Sequence, residues 1–296
     1  MTTTAEKSGQ FRLGDRTVHR IGYGAMRLSG PHIMGPPADR DGAVAVLRRA
    51  VELGVDHIDT SDYYGPHVTN EIIREALHPY PEHLTIVTKV GARRTPEGEW
   101  PEALSRDELR QAVHDNLAHL GVEALDVVNL RMPGFAEPVQ RSLAEPFEAL
   151  AELQQEGLVR HLGISNVTPQ MFAEAQGIAR VVCVQNHYNL VHRADDPMVD
   201  ALAREGVAYV PFFPLGGFNP IQSAALETVA RRLEASPMEV ALAWLLARSP
   251  NLLLIPGTSS VAHLEQNLQA AARVLGPVEL EELDRIGGDG TPDPDL

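Results

Sequence analysis

Three residues that can carry out acid–base chemistry, Asp59, Tyr64 and Lys89, lie in or just after two short apolar segments. Asp59 lies in VDHIDTS (55–61), Tyr64 follows it by five residues in DTSDYYG, and Lys89 ends LTIVTK. A tyrosine with a pKa of about 10 is a poor acid at neutral pH. A neighbouring ammonium lowers that pKa, and each pKa unit corresponds to about 1.4 kcal/mol. A carboxylate at Asp59 would hold Lys89 charged and oriented. The set therefore predicts a tyrosine that donates a proton.

Lys89 also stands out against the composition of the chain. Only Lys7 and Lys89 are lysines among the 25 basic residues, so arginine fills nearly every other basic position. An ammonium is more compact than a guanidinium, and its pKa shifts more readily on burial. A lysine at a strand end can also simply extend its charge into solvent. The scarcity of lysine favours a specific chemical role for Lys89.

Polar and aromatic residues end several other apolar runs. Ser165 and Asn166 end RHLGISN, Gln185 lies in VVCVQN, and Phe212 lies in VAYVPFF. Hydroxyl and amide groups suit the binding of a carboxamide, and an aromatic ring stacks on a planar ligand. Together with the tyrosine, these residue types predict a nicotinamide site that faces a proton donor.

The elements that must position these residues alternate between two kinds of segment. Continuous apolar runs of this length are typical of parallel strands covered on both faces. Helix patterns with apolar residues at i, i+3, i+4 and i+7 lie between them, and Gly54, Gly121 and Gly206 are among the glycines that follow. The eight predicted strands are 20–26, 55–61, 84–90, 125–131, 160–166, 181–186, 207–213 and 252–257.

Eight strands that alternate with helices predict an α/β fold, the (β/α)8 TIM barrel, with the active site at the C-terminal ends of the strands. The segment 10–20 predicts a small N-terminal hairpin with Gly14 in its turn, placed to cover the bottom of the barrel. A doubly wound sheet is the alternative fold. Its dinucleotide fingerprint fails here, because Arg27 stands where a third glycine should follow Gly22 and Gly24.

Length and composition are those of a globular protein with a sizeable core. The 296 residues are 44% hydrophobic and 22% charged, and α/β barrels of this size commonly form one domain. We expect one domain over 1–296, with a core of about 12–285 and short flexible ends. The net charge of -15 argues against nonspecific binding to nucleic acid or to an anionic membrane. Residues 1–10 contain no apolar targeting segment, so we expect a cytoplasmic protein, as a monomer or weak oligomer.

Three further chemistries are not expected from this sequence. Cys183 is the only cysteine, so no disulfide forms within the chain, and its apolar surroundings predict a small buried side chain. The segment GISNV lacks the last glycine of a nucleophile elbow, which argues against a serine hydrolase. His114 with His119 and His187 with His192 are five residues apart, not four, so no metal site is predicted.

Several spaced motifs carry a resemblance to the aldo-keto reductases over about residues 12–275. HIDTSDYYG resembles the family's aspartate and tyrosine segment, VTKVG its lysine strand, GISN its nicotinamide-amide loop and IPGTSSVAHLEQN its adenosine-phosphate segment. Within the family the chain is most similar to bacterial pyridoxal reductases, through GPHVTNEIIREAL, LDVVNLR, HRADD and YVPFFPLGGF. The resemblance implies an NADP(H)-dependent oxidoreductase of small aldehydes, with the reduction of pyridoxal to pyridoxine as the leading reaction.

The resemblance also implies roles for individual residues. Tyr64 is implied to be the proton donor, tuned by Asp59 and Lys89, and Arg131 occupies the fourth position of the catalytic set. Phe212 stands where the family usually stacks a tyrosine on the nicotinamide, so stacking is expected to remain. The residues implied to bind the cofactor are Gly24, Ala25, Met26, Asp59, Ser165, Asn166, Gln185, Phe212, Phe213, Pro214, Leu215, Gly217, Gly257, Thr258, Ser259, Ser260, His263, Gln266 and Asn267.

Departures from the family's pattern leave alternatives open. Arg131 stands where most members have a substrate-orienting histidine, and it either binds an anionic oxygen beside the aldehyde or forms an ion pair at the barrel rim. His263 and Gly257 stand where many members have an arginine and a lysine. These differences weaken the argument from charge for binding the 2′-phosphate, but NADPH is still expected over NADH. The altered set makes a cofactor-binding regulatory or sensing protein the alternative function. Trp100 and Phe135 are interpreted either as pocket wall or as local packing.

Overall fold

The computed structural model describes residues 4–134, 137–217 and 221–287, and these contain nine strands. The first two pair antiparallel, and the other seven form one parallel sheet in chain order. The strands are β1 (Gln10–Leu13), β2 (Arg16–His19), β3 (Tyr23–Gly24), β4 (His57–Asp59), β5 (Thr85–Val90), β6 (Leu125–Arg131), β7 (Val159–Ser165), β8 (Val181–Gln185) and β9 (Ala208–Tyr209).

The run at 252–257, predicted as the eighth strand, closes the sheet through isolated bridges. Leu254 pairs parallel with Ile21, just before β3, and Leu252 pairs parallel with Tyr209 in β9. Backbone hydrogen bonds of 2.8 to 2.9 Å accompany both pairings. The sheet therefore curls back on itself, and the predicted barrel is confirmed, although β3, β4 and β9 are shorter than the apolar runs that predicted them.

Side chains alternate between the inside and the outside of the barrel, as the pleat of a strand requires. Val87 and Val127 belong to an inner apolar cluster, whereas their neighbours Ile86 and Val128 belong to the large core that the helices share. Cys183 is completely buried in the inner cluster, and burial raises the pKa of its thiol to about 12. The expected role of Cys183 as a small buried residue is confirmed.

The β1–β2 hairpin covers the bottom of the barrel, as predicted. Its buried residues Leu13 and Val18 pack in the same cluster as the inward side chains of the strands. Gly14 has a positive φ of 69°, and a Cβ at this position would lie 2.4 Å from the ring of His161 in β7. The turn therefore needs glycine both for its backbone conformation and for its close approach to the barrel.

Ten α-helices surround the sheet within the described residues, and none of these helices is long and apolar enough to cross a membrane. The third begins at a capping box formed by Ser105 and Glu108 and stops at Gly121, which has a left-handed conformation. The helices are α1 (Arg40–Glu52), α2 (Val68–Leu77), α3 (Arg106–Leu120), α4 (Ala144–Gln155), α5 (Pro169–Ile178), α6 (Asp196–Glu205), α7 (Ala224–Arg232), α8 (Pro237–Arg248), α9 (Val261–Gln269) and α10 (Pro277–Asp284).

The sequence carries start signals for two of these helices, α5 and α7. Thr168 accepts a hydrogen bond from the backbone of Met171 at the start of α5, and Ser223 does the same for Leu226 in α7. Side-chain oxygens at this position satisfy backbone donors that the first helical turn leaves without a partner.

Candidate active site

A cavity of about 800 Å³ opens at the C-terminal ends of the barrel strands. This is the position that the barrel fold predicts for an active site. The residues predicted from sequence that line it are Gly24, Met26, Asp59, Tyr64, Lys89, Arg131, Ser165, Gln185, Phe212, Phe213, Pro214, Leu215, Gly217 and Gly257.

Asp59 and Lys89 form a buried ion pair at the base of this cavity. They come from the neighbouring strands β4 and β5, and Lys89 Nζ lies 2.5 Å from Asp59 Oδ1 and 2.9 Å from the carbonyl of Thr60. Gln185 Nε2 donates to the other Asp59 oxygen at 2.8 Å. The charges are thus compensated and hydrogen-bonded, which is the condition under which buried ions are tolerated. The structure brings together the carboxylate and the ammonium that the sequence predicted.

Tyr64 lies beside this pair, with Lys89 Nζ 5.3 Å from the centroid of its ring. Burial raises the pKa of Tyr64 well above its usual value, and the charge of Asp59 raises it further, while the charge of Arg131 lowers it. The pKa of Tyr64 is therefore raised overall, and not lowered as a neighbouring ammonium alone would predict, because burial disfavours the phenolate.

An aromatic wall beside Tyr64 was only partly foreseen. The Tyr63 ring meets Tyr64 and Trp100 nearly edge-on, with both centroid distances at 5.4 Å. Arg94 Cζ lies 3.8 Å from the Trp100 ring centroid. Trp100 lines the cavity, so its interpretation as pocket wall is confirmed, whereas Phe135 lies outside the described residues. Tyr63 was not predicted as a cavity residue, although its position next to Tyr64 in the sequence could have indicated it.

Three residues offer polar atoms suited to a carboxamide, and two of them, Ser165 and Gln185, line the cavity, whereas Asn166 does not. Ser165 Oγ, Asn166 Oδ1 and Gln185 Oε1 are buried and have no hydrogen-bond partner within the part of the chain that the structure describes. The Asn166 amide nitrogen instead donates to the carbonyls of Pro133 and Gly134, at 2.7 and 3.1 Å. Buried polar atoms without partners are costly, so they mark a place where a ligand supplies the missing hydrogen bonds. The residue set fits the nicotinamide amide.

Phe212 is supported by a stack of histidines. Its ring lies parallel to that of His187, with centroids 5.7 Å apart, and His187 stacks on His192 at 3.9 Å. Arg131 lies on the cavity side, with its Cζ 5.1 Å from the Phe212 centroid and its Nη2 donating to the carbonyl of Gly134 at 3.1 Å. Burial, and then the charge of His192, lowers the pKa of His187 to about 4. A neutral His187 therefore backs the Phe212 ring.

Two backbones approach closely at the edge of the cavity. A Cβ on Gly24 would lie 2.5 Å from the carbonyl oxygen of Ile255, and one on Gly257 would lie 2.7 Å from that of Gly24. Arg27, which was not predicted to bind the cofactor, lines this edge and donates to the carbonyl of Gly217 at 2.8 Å. The structure therefore adds a cation to the predicted cofactor path.

The segment predicted for the adenosine end builds the start of α9. Ser260 caps this helix by accepting a hydrogen bond from the backbone of His263, and Thr258 Oγ1 accepts one from the backbone of Ser260. A helix N-terminus of this kind suits a phosphate. Six residues of this segment were predicted to bind the adenosine end of the cofactor, and none of them is among the described residues that line the cavity: Thr258, Ser259, Ser260, His263, Gln266 and Asn267. Ala25, which was also predicted to bind the cofactor, lies in the core instead.

Known proteins resemble this chain over nearly its whole length. Pyridoxine 4-dehydrogenase of Escherichia coli (strain K12) is 61% identical over 281 residues, covering 94% of this chain and 98% of that protein. An uncharacterized oxidoreductase of Schizosaccharomyces pombe is 38% identical over 96% of this chain and 91% of its own length.

Solved structures agree with the fold. A thermostable aldo-keto reductase in complex with the inhibitor epalrestat has a TM-score of 0.80 at 29% identity, covering 94% of this chain and 99% of that one. An aldo/keto reductase of Klebsiella pneumoniae in complex with NADP and acetate has a TM-score of 0.78 at 24% identity, covering 94% and 95%. A family model described as "Aldo/keto reductase family" matches residues 20–220 and 221–287 of this chain. The chain belongs to the aldo/keto reductase family.

Proposed function

We propose that this protein is an NADP(H)-dependent reductase of small aldehydes, with pyridoxal as its leading substrate. The observation that carries the proposal is the buried Asp59–Lys89 pair beside Tyr64, in the same cavity as the carboxamide-binding atoms of Ser165 and Gln185. The Escherichia coli relative named pyridoxine 4-dehydrogenase supports the choice of substrate. We also infer a single domain, because the described strands close one barrel.

Residues in and next to the cavity would hold the cofactor. Ser165, Asn166 and Gln185 would bind the nicotinamide amide, and Phe212 would stack on the ring. Arg27 would face the phosphates. Bound NADPH supplies the hydride that reduces the carbonyl carbon.

Tyr64 supplies the proton that completes the reduction. Its raised pKa keeps the hydroxyl protonated at neutral pH, so it can donate to the carbonyl oxygen as negative charge develops there. The tyrosinate that remains lies near two cations, Lys89 and Arg131, which stabilise it. Lys89 is fixed by Asp59, so the ammonium does not need to reorganise during the reaction.

Arg131 selects the aldehyde in this proposal. The guanidinium lines the cavity between Gly134 and the Phe212 ring, and it donates hydrogen bonds but does not give up a proton in practice. Pyridoxal presents an ionisable phenol next to its aldehyde, so one fork can bind both the phenolate and the reacting oxygen. An aldehyde that lacks the anionic neighbour gains only part of this stabilisation.

A steady-state screen tests the proposed function. Oxidation of NADPH and of NADH is followed with pyridoxal, benzaldehyde and an aliphatic aldehyde. We expect turnover with NADPH and the highest kcat/KM for pyridoxal. Tight binding of NADPH without turnover of any aldehyde would instead support a sensing or regulatory protein.

A further inference from the structure

Three potential metal ligands converge near the segment that carries Tyr64, and none of them lines the active-site cavity. Asp62 lies in the loop after β4, His67 directly precedes α2, and His119 lies in the last turn of α3. His67 Nδ1 lies 2.7 Å from Asp62 Oδ2, and His119 Nδ1 lies 2.9 Å from Asp62 Oδ1. The reaction proposed above uses none of these three side chains.

The three ligand atoms are close enough to share one ion. All of them lie within 4.8 Å of one another, and the two imidazole rings face each other with centroids 4.3 Å apart. Zinc binds imidazole nitrogen and carboxylate oxygen at about 2.0–2.2 Å, and three protein ligands with water in a fourth position are a common arrangement. We propose that Asp62, His67 and His119 form a binding site for a divalent transition metal of the zinc class.

The carboxylate of this site is held in place from behind. The Asp62 side chain is only 9% exposed, and Asn70 Nδ2 donates to its Oδ1 at 3.0 Å. Asn70 in turn accepts from Thr60 Oγ1 at 2.9 Å and donates to Asn116 Oδ1 at 3.0 Å. Outer hydrogen bonds of this kind orient the ligands of metal sites. The position of Asp62 is therefore fixed before an ion arrives.

Carboxylates lie next to both histidines. The Asp62 carboxylate contacts both imidazoles, at 2.7 Å from His67 Nδ1 and 2.9 Å from His119 Nδ1, and Glu71 lies in the first turn of α2. These carboxylates place negative charge beside the two rings. Opposite charges of this kind attract a divalent ion to the site.

Solvent reaches the two histidines. The side chains of His67 and His119 are 48% and 28% exposed. His119 borders an open surface cavity of about 500 Å³ whose charged lining consists of two glutamates and two arginines, Glu71, Glu75, Arg40 and Arg74. An ion can enter from this side without passing the cavity that holds Tyr64. The proposed metal site is therefore independent of aldehyde reduction.

Zinc titration against a chromophoric chelator tests the proposal, using the full chain after removal of metals. We expect the parent protein to bind one equivalent of Zn²⁺, and His67→Ala and His119→Ala to weaken that binding by at least about 10-fold, because the loss of even an outer hydrogen-bond partner of a metal ligand has an effect of this size. His114→Ala is the matched control, because His114 is exposed on the same helix as His119, and it should leave the dissociation constant unchanged.

A second variant separates metal binding from a purely structural network. His119→Gln can still donate a hydrogen bond to Asp62 but is a poor zinc ligand, so it should retain the thermal unfolding midpoint in the absence of metal and lose zinc affinity. Equal zinc affinity in the parent, His67→Ala and His119→Ala proteins would overturn the site. Failure of the parent protein to compete with the chelator would also overturn it.

Discussion

The ammonium of Lys89 lies 2.5 Å from a carboxylate oxygen of Asp59, and both side chains are about 95% buried, with exposures of 5% and 6%. Because both charges are largely removed from bulk water, each depends on the other for its stability. The same contact fixes the ammonium next to Tyr64. Stability and proton transfer are therefore coupled through one pair of side chains.

Replacing one member of this pair should cost more than replacing both. Lys89→Met leaves Asp59 as an uncompensated buried charge, and such a change costs about 3–5 kcal/mol of unfolding free energy. Lys89→Met with Asp59→Asn should recover a large part of that loss, because no charge remains buried. Urea unfolding of the two single variants and the double variant measures the coupling. Strictly additive losses would show that the pair does not behave as a unit.

Arg131→Ala should impair pyridoxal reduction more than benzaldehyde reduction. Loss of one charge-assisted hydrogen bond corresponds to about 1.5–3 kcal/mol in kcat/KM, and benzaldehyde lacks the anionic oxygen that forms it. The ratio of the two kcat/KM values, measured in the parent and variant proteins, isolates this effect. Equal losses for both aldehydes would mean that Arg131 serves only the reacting carbonyl, and no loss for either would leave only a structural role.

NADPH should bind more tightly than NADH, and His263→Arg should widen the difference. His263 lies in the first turn of α9, and a guanidinium there is always charged and binds phosphate in a bidentate manner. Quenching of intrinsic fluorescence gives both dissociation constants. Gln269→Arg, which adds the same charge at the exposed far end of α9, is the control for net charge. Identical constants for the two reduced cofactors would contradict the predicted phosphate site.

Arg27→Ala should weaken both cofactors by a similar factor. Arg27 lines the cavity and holds the loop at Gly217, so its loss removes a charge-assisted contact worth about 1.5–3 kcal/mol that does not depend on the 2′-phosphate. The same fluorescence titration measures the change. A loss confined to NADPH would place Arg27 at the adenosine end instead.

His187 should make the protein less stable in mild acid. Its folded pKa is lowered to about 4 from an ordinary value of 6.5, so below pH 6.5 the unfolded chain binds the proton more readily. The stabilisation from neutral His187 is complete above pH 6.5 and is lost as the pH falls towards 4. His187→Phe keeps the ring stacked between Phe212 and His192 but cannot titrate, so thermal unfolding midpoints should fall less over this pH range. If the unfolding midpoint of His187→Phe falls with pH as steeply as that of the parent protein, another group controls the loss of stability in acid.

The barrel was largely predictable because its strands are buried on both faces. The runs at 84–90, 125–131 and 160–166 match β5, β6 and β7 to within one residue at each end. The run at 252–257 was predicted as a strand but forms only isolated bridges. The hydrogen-bond pattern that separates a strand from a bridged segment depends on both neighbouring segments, which the run itself does not contain. An apolar run in the sequence indicates that a segment is buried, but it does not indicate how many of its residues pair with a neighbouring strand.

The polar chemistry was predictable only where it follows strand ends. Asp59, Lys89 and Gln185 meet because parallel strands end at the same edge of the barrel. His67, just before α2, and His119, in α3, come together from distant parts of the chain, so a search for ligands at fixed local spacing could not find them. The raised pKa of Tyr64 likewise depends on burial and on the Asp59 charge, neither of which a motif contains.

The identity of the proton donor is the central claim, and Tyr64→Phe compared with Tyr63→Phe tests it most directly. Both tyrosines line the cavity, and their rings are 5.4 Å apart. We expect Tyr64→Phe to lower kcat for pyridoxal by about 10²–10⁴-fold, the usual contribution of general acid catalysis, with NADPH affinity nearly unchanged and with Tyr63→Phe reducing kcat far less. Near-normal turnover by Tyr64→Phe, or a larger loss in Tyr63→Phe, would contradict the account.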